Sequence, residues 1–169
     1  MRISIRPVGD VPRELLEDLV EDLKDFGPAT ILEAIPLEPS WFDPPRERYR
    51  ADLVLEALAA DPGDRALGVT SGDLYSGTFN FIFGLAKVMG KPAVISIARL
   101  SSPDLQRFRE RVAKEAIHEL GHTFGADNCP NRECVMSFSN SVDAVDRKTA
   151  SFCGRCRPTI EFTAKRLRT

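Results

Sequence analysis

The sequence has few histidines and no long apolar run. His118 and His122 are the only two histidines in 169 residues, so any metal site that uses both must take further ligands from other residue types. No stretch approaches the ~18 apolar residues that a transmembrane helix needs. The first residues alternate apolar and polar instead of forming the apolar run of a signal peptide. We therefore expect a cytoplasmic protein with no membrane partner.

Neither sign of charge dominates the composition. The net charge is −2, with 43% hydrophobic and 28% charged residues, which is ordinary for a globular protein. Such a balance argues against a nucleic-acid partner. The length predicts a single domain over 1–169, with enough chain to bury a core without disulfides. Composition does not decide the oligomeric state.

Periodicity predicts an α/β (α+β) fold. Apolar or alternating β-branched runs predict strands at 2–8, 29–37, 66–70, 81–88 and 92–100. Helical spacing predicts helices at 12–26, 46–60, 102–125 and about 158–168. Strands that alternate with helices in this order favour a layered fold with a mixed sheet.

The helix predicted at 102–125 carries the main motif. Ser102 would cap it and Pro103 would occupy its first turn, while Gly125 would end it. His118 and His122 lie roughly 200° around the helix from its apolar stripe, and therefore face a cleft or a second lobe. The stripe consists of Leu105, Phe108, Val112, Ala116, Leu120 and Phe124.

Residues 118–122 read His-Glu-Leu-Gly-His, an H-E-x-x-H motif. Histidines at i and i+4 lie on one helix face and can bind one Zn²⁺. Glu119 between them is placed to take a proton from a zinc-bound water. The same motif also occurs by chance in unrelated helices, but a well-delimited helix and the following Gly125 favour a zinc site.

All four cysteines lie after this helix. Cys129 and Cys134, then Cys153 and Cys156, form two close pairs. In a chain without secretory features this pattern favours a tetrahedral zinc site over the alternative of disulfides. Such a site has no open coordination position, so it would be structural and would stabilise a small lobe.

Together, these motifs resemble those of the archaemetzincins (archaelysins), a family of metzincin zinc metallopeptidases. The family pattern is H-E-x-x-H-x-x-G-x-x-H-C, then a second cysteine, x-M, and C-x-x-C about seventeen residues later. From His118 to Cys156 this chain reads HELGHTFGADNCPNRECVM, sixteen residues, then CGRC. Residues 80–86 also look like the family's edge strand.

The resemblance implies the fold and the roles of individual residues. The fold would be metzincin-like: an upper lobe (1–125) with a five-stranded mixed sheet and the active-site helix, above a small zinc-stapled lower lobe (126–169). His118 and His122 look like ligands of a catalytic zinc, Glu119 like the catalytic general base, and Met136 like the Met-turn residue. The structural-zinc ligands would be Cys129, Cys134, Cys153 and Cys156.

One departure from the family pattern concerns the catalytic zinc. Asn128 stands where the third zinc-binding histidine is expected. An amide oxygen is a weaker ligand than imidazole, and Asp127 or water are the other candidates. We therefore expect weaker binding of the catalytic zinc. A second departure, one residue fewer before the last cysteine pair, can be absorbed by a loop.

Three functions remain open at this point. The first is a zinc-dependent peptidase that cleaves peptide or protein substrates. The second is a catalytically impaired relative that acts as a peptide-binding module, because the third histidine is Asn128. The third, less favoured because the net charge is negative, is a nucleic-acid module built on the cysteine lobe with Arg155 and Arg157.

Overall fold

The structure, a computed structural model, describes residues 1–168. The strands are β1 (Ile3–Val8), β2 (Ala29–Ile31), β3 (Phe42–Asp43), β4 (Arg48–Arg50), β5 (Arg65–Thr70), β6 (Leu74–Tyr75), β7 (Gly84–Ala86) and β8 (Pro92–Ser96). The α-helices are α1 (Arg13–Asp22), α2 (Ala51–Leu58), α3 (Leu105–Thr123), α4 (Val142–Arg147) and α5 (Arg157–Arg168). Short 3-10 helices occupy Pro39–Trp41 and Pro44–Arg46.

Five of the strands form one mixed sheet in the order β2-β1-β5-β8-β7. Neighbouring strands are parallel except for β7, which runs antiparallel to β8 at one edge. The predicted α/β (α+β) fold with a mixed five-stranded sheet is therefore confirmed. The remaining strands form a small second sheet, β3-β4-β6, which the sequence reasoning missed because each of its strands has only two or three residues.

Helices cover both faces of the main sheet. Along β8, Ala93 and Ile95 pack into the cluster that contains the buried leucines of α1 and the buried face of α3. Val94 between them points to the other face, where it joins Val54 and Leu58 of α2. This burial on both faces explains why β8 has a nearly continuous apolar sequence.

The start of α3 differs from the prediction. Asp104, not Ser102, caps the helix, because its carboxylate accepts hydrogen bonds from the backbone N–H groups of Gln106 and Arg107. The hydroxyl of Ser102 instead accepts from the Asp104 N–H at 3.2 Å and shapes the preceding turn. Pro103 consequently lies before the helix and not in its first turn.

Several predicted elements are longer than the observed ones. The strand predicted at 29–37 ends at Ile31, the one at 81–88 covers Gly84–Ala86, and the one at 92–100 ends at Ser96. The helix predicted at 46–60 covers Ala51–Leu58, and β4 precedes it directly. Strand ends depend on how far the neighbouring strand runs alongside, and the local sequence does not contain that information.

The chain after α3 packs against the side of that helix that the sheet leaves free. Val135, Met136, Val145 and Ile160 join the same core cluster as the residues of α1 and β1. The predicted C-terminal helix is present as α5, whereas α4, capped by the Ser141 hydroxyl on the Ala144 N–H, was not predicted. The last residue of the predicted lower lobe, Thr169, lies outside the described residues. No helix among residues 1–168 combines the length and apolarity needed to cross a bilayer.

Candidate metal centres

The imidazole rings of the two histidines of α3 face each other. Their Nε2 atoms are 3.1 Å apart, and the ring planes are nearly perpendicular, at 87°. His118 is only 5% exposed, and His122 is partly buried. The i,i+4 spacing has therefore brought the two ring nitrogens together, as the sequence predicts.

Backbone carbonyls orient both rings. The Nδ1 atom of His118 lies 2.8 Å from the carbonyl oxygen of Val135, and Nδ1 of His122 lies 2.7 Å from that of Ala126. A carbonyl oxygen only accepts, so each Nδ1 carries the proton and donates it. Each Nε2 is then left with a free lone pair, which is the arrangement of a metal-ligating histidine.

The end of α3 places one of these carbonyls. The N–H of Ala126 donates to the carbonyl of Gly121, and the N–H of Gly125 donates to that of His122, a Schellman motif. Gly125 has φ +94°, which a glycine adopts at little cost. This sharp reversal brings the Ala126 carbonyl back to the ring of His122 and directs the following residues toward the histidine pair.

Burial keeps both imidazoles neutral. It lowers the pKa of His118 to about 3, with smaller contributions from the Lys148 ammonium and from His122. Burial also lowers the pKa of His122. Two imidazole nitrogens bound to one tetrahedral Zn²⁺ would lie about 3.3 Å apart. The observed 3.1 Å and the two lone pairs that face each other therefore fit a shared zinc ion.

Glu119 lies beside the edge strand of the main sheet. A Cβ atom on Gly84 of β7 would come within 2.5 Å of the Glu119 Cγ, so the carboxylate side chain packs directly on the β7 backbone. Burial raises the pKa of Glu119 well above its usual range, the charge of Glu115 adds to the rise, and Lys148 opposes it. Within residues 1–168 Glu119 makes no ion pair, so the Lys148 ammonium acts on it without direct contact.

Asp127 and Asn128 are the candidate third ligands that the chain itself offers. Two neighbouring side chains partly oppose the lowering of the His122 pKa by burial: Asp127 through its charge and Asn128 as a hydrogen-bond partner. Among residues 1–168 no carboxylate oxygen lies within 4.8 Å of both histidine nitrogens. Asp127 therefore does not share a metal position with the two histidines in this structure, and Asn128 remains a candidate third ligand.

Met136 lies directly beneath α3. Its sulfur approaches Gly121 so closely that a Cβ atom at that position would collide with it. Met136 is fully buried, and its carbonyl accepts a hydrogen bond of 2.8 Å from the Cys129 N–H. Gly121, the second x of the H-E-x-x-H motif, therefore has no side chain because the Met136 sulfur occupies that space.

The four cysteines converge in a second cluster. The sulfurs of Cys129, Cys134, Cys153 and Cys156 all lie within 4.8 Å of one another, and none forms a disulfide. The Cys129 and Cys153 sulfurs are 3.7 Å apart, close to the about 3.8 Å expected between two thiolates on a tetrahedral zinc. Backbone N–H groups of Cys156 and Arg155 lower the pKa of Cys153 to about 6, which favours the thiolate. This cluster could hold a metal ion.

A buried ion pair next to the histidines was missed by sequence reasoning. The ammonium of Lys148 lies 2.7 Å from a carboxylate oxygen of Glu115, and both side chains are almost fully buried. Lys148 also donates to the carbonyl of Ser137, one residue after Met136. The pair therefore joins α3 to the segment that follows Met136. The one feature of the sequence that could have indicated this pair is the position of Glu115, one helical turn before Glu119.

We expect Lys148→Met to destabilise the protein by about 3–5 kcal/mol, because it leaves the Glu115 carboxylate buried without its partner. The double variant Lys148→Met, Glu115→Gln removes both charges and should recover part of this loss. Urea unfolding of the zinc-saturated proteins measures both changes. A single variant within about 1 kcal/mol of the parent would contradict the expected cost of leaving the Glu115 carboxylate buried alone.

The fold and the histidine pair together place the chain in the class of zinc metallopeptidases. The model of peptidase family M54 matches residues 47–162. The chain belongs to this family, and the resemblance to the archaemetzincins drawn from residues 118–156 is confirmed.

Relatives and solved structures agree over nearly the whole chain. The archaemetzincin of Methanocaldococcus jannaschii is 41% identical over 168 residues, covering 95% of this chain and 93% of the relative. The crystal structure of archaemetzincin from Methanopyrus kandleri superimposes with a TM-score of 0.90 at 39% identity, covering 98% and 96% of the two chains. A zinc-dependent peptidase from Methanocorpusculum labreanum gives a TM-score of 0.84 at 31% identity, covering 94% and 99%.

Proposed function

We propose that this chain hydrolyses peptide bonds with a zinc ion held by His118 and His122 and with Glu119 as the general base. The observation that carries the proposal is the pair of neutral imidazoles whose Nε2 atoms lie 3.1 Å apart on the helix that also carries the buried carboxylate of Glu119. The substrates are peptides or proteins, as the peptidase family implies.

The residues around the pair would position the substrate and move its protons. Strand β7 ends the sheet, so an extended peptide can pair with its open side through main-chain hydrogen bonds. A zinc ion held by His118 and His122 would polarise the scissile carbonyl and activate a water molecule. Glu119, packed on the β7 backbone, would take a proton from that water and pass it to the leaving amine nitrogen.

The cysteine cluster supports the proposal of a second, structural zinc. Four thiols satisfy a tetrahedral ion completely, so this site would hold the lower lobe (126–169) together without taking part in catalysis. The upper lobe (1–125) would supply the sheet and the active-site helix within one domain. Free thiols that bind metal also fit a reducing compartment, which supports a cytoplasmic location.

Asn128 supports a second candidate function, a peptide-binding module with impaired catalysis. Its side chain is close enough to influence the pKa of His122, so it is placed to complete the zinc site, but a neutral amide oxygen holds zinc more weakly than imidazole. The catalytic zinc would then be bound weakly, while the fold and the cysteine site remain. The two functions differ in whether Asn128 still supports hydrolysis.

We expect Asn128→His to tighten zinc binding at the histidine pair by at least about tenfold, the lower limit seen when even indirect contacts to a metal are changed. Zinc per chain, measured by elemental analysis during titration with a chelator, gives the affinity. Asp127→His is the matched control, because it places a histidine one residue away from the position of the third histidine in the family pattern.

Cleavage of a diverse peptide library by the same three proteins separates the functions. Activity in both the parent and Asn128→His at saturating zinc supports the peptidase. Activity in Asn128→His alone supports the binding module. Absence of cleavage by either protein, with two zinc ions bound per chain, would contradict the proposed peptidase.

A further inference from the structure

A pocket beside Met136 carries unpaired positive charge. It has a volume of about 350 Å³ and is lined by Arg132, Arg147, Ser137, Phe138 and Cys129, together with small and polar neighbours. No carboxylate belongs to its lining.

The pocket lies next to the proposed zinc site. Cys129 directly follows Asn128, Ser137 directly follows Met136, and the Cys129 N–H donates to the Met136 carbonyl at 2.8 Å. Phe138 is 50% exposed, and its ring centroid lies 6.2 Å from that of Phe79, in the segment that leads to β7. The Phe138 wall of the pocket therefore lies beside the segment that leads to β7, the strand with which a peptide would pair.

The two arginines have no partner in the part of the chain that the structure describes. Neither Arg132 nor Arg147 makes an ion pair or a side-chain hydrogen bond within residues 1–168, and both are exposed. By contrast, Arg111, nearby in α3, makes two hydrogen bonds of 2.7 Å to the carboxylate of Asp146. Arg147 alone would be explained by its place in the last turn of α4, where cations are favourable. Arg132 is on no helix, so that explanation does not cover it.

We propose that this pocket receives an acidic side chain of the substrate close to the scissile bond. Arg132 and Arg147 bind its carboxylate, and the Phe138 ring contacts its methylene groups. Arginine suits this role because its planar guanidinium donates in pairs to a carboxylate. This specificity rests on the proposed peptidase function and names the substrate class of that site.

The test compares quenched fluorescent peptides that differ only by Asp, Asn or Lys at each position around a cleavage site found with the diverse library. For the parent we expect kcat/KM about tenfold higher for Asp than for Asn at one position, the combined effect of two partly exposed charge pairs. The double variant Arg132→Glu, Arg147→Glu should lose this preference and favour Lys there. Arg168→Glu, an exposed arginine of α5 outside the pocket, is the control and should keep the preference for Asp.

The outcomes separate this inference from the proposed function. Cleavage without an acidic preference, or a preference that survives the double variant, overturns the inference and leaves the peptidase in place. Where the parent cleaves nothing, the peptidase fails, and fluorescence anisotropy then compares binding of matched library peptides that carry either Asp or Asn at one position. Equal affinities of the two peptides for the parent overturn the acidic pocket as well. Zinc content and circular dichroism verify that each variant is folded.

Discussion

Glu119→Gln is expected to lower kcat/KM by about 10²–10⁴-fold, the usual range for loss of a positioned general base. Glutamine has nearly the same shape but cannot accept the proton. Burial raises the pKa of Glu119, so its ionised carboxylate is a strong base. Since the carboxylate packs on Gly84 of the edge strand, it would lie next to the peptide that pairs there.

The measurement is steady-state cleavage of a library-derived peptide at saturating zinc. Glu110→Gln is the matched control, because Glu110 is an exposed glutamate on the same helix and should leave the rate unchanged. Zinc content of Glu119→Gln should equal that of the parent, since Glu119 is not proposed as a ligand. A rate within threefold of the parent, about 0.65 kcal/mol in the barrier, would exclude Glu119 as the base.

Cys156→Ser should remove one zinc ion per chain and destabilise the protein by several kcal/mol. Structural zinc sites in small peptides contribute apparent free energies of about 10–16 kcal/mol, which is an upper limit here because a core cluster also holds this segment. The loss should reach the histidines, because the Val135 carbonyl that orients His118 directly follows Cys134.

Elemental analysis and thermal unfolding measure this effect, and limited proteolysis should show faster cleavage after residue 126. Thr159→Ser, an exposed conservative change in α5, is the control. Unchanged zinc content in Cys156→Ser would contradict the structural zinc, whereas lost zinc with an unchanged Tm would contradict its contribution to stability.

Much of the site could be predicted because its geometry is local. A helix places residues i and i+4 on one face, so the meeting of His118 and His122 follows from their spacing. Gly125 ends α3 as predicted, because only a residue that tolerates positive φ fits that turn. The two cysteines of each pair are close in sequence, so a single four-cysteine cluster could be predicted from their spacing.

Other features were decided by contacts between distant segments. The limits of β7 depend on β8, and the small sheet of β3, β4 and β6 depends on pairings that no single segment specifies. The cap of α3 is Asp104 because the chain before it turns on the Ser102 hydroxyl.

The sequence alone determined which side chains come together as candidate metal ligands, since helical spacing and short cysteine spacings suffice to bring them together. Only the tertiary structure decided what surrounds those ligands. Lys148 meets Glu115 across 33 positions, and Gly84 leaves room for Glu119. Arg132 and Arg147 share one pocket although they lie 15 positions apart in the sequence. Such contacts depend on how the chain after α3 returns to pack beneath it, which no local pattern encodes.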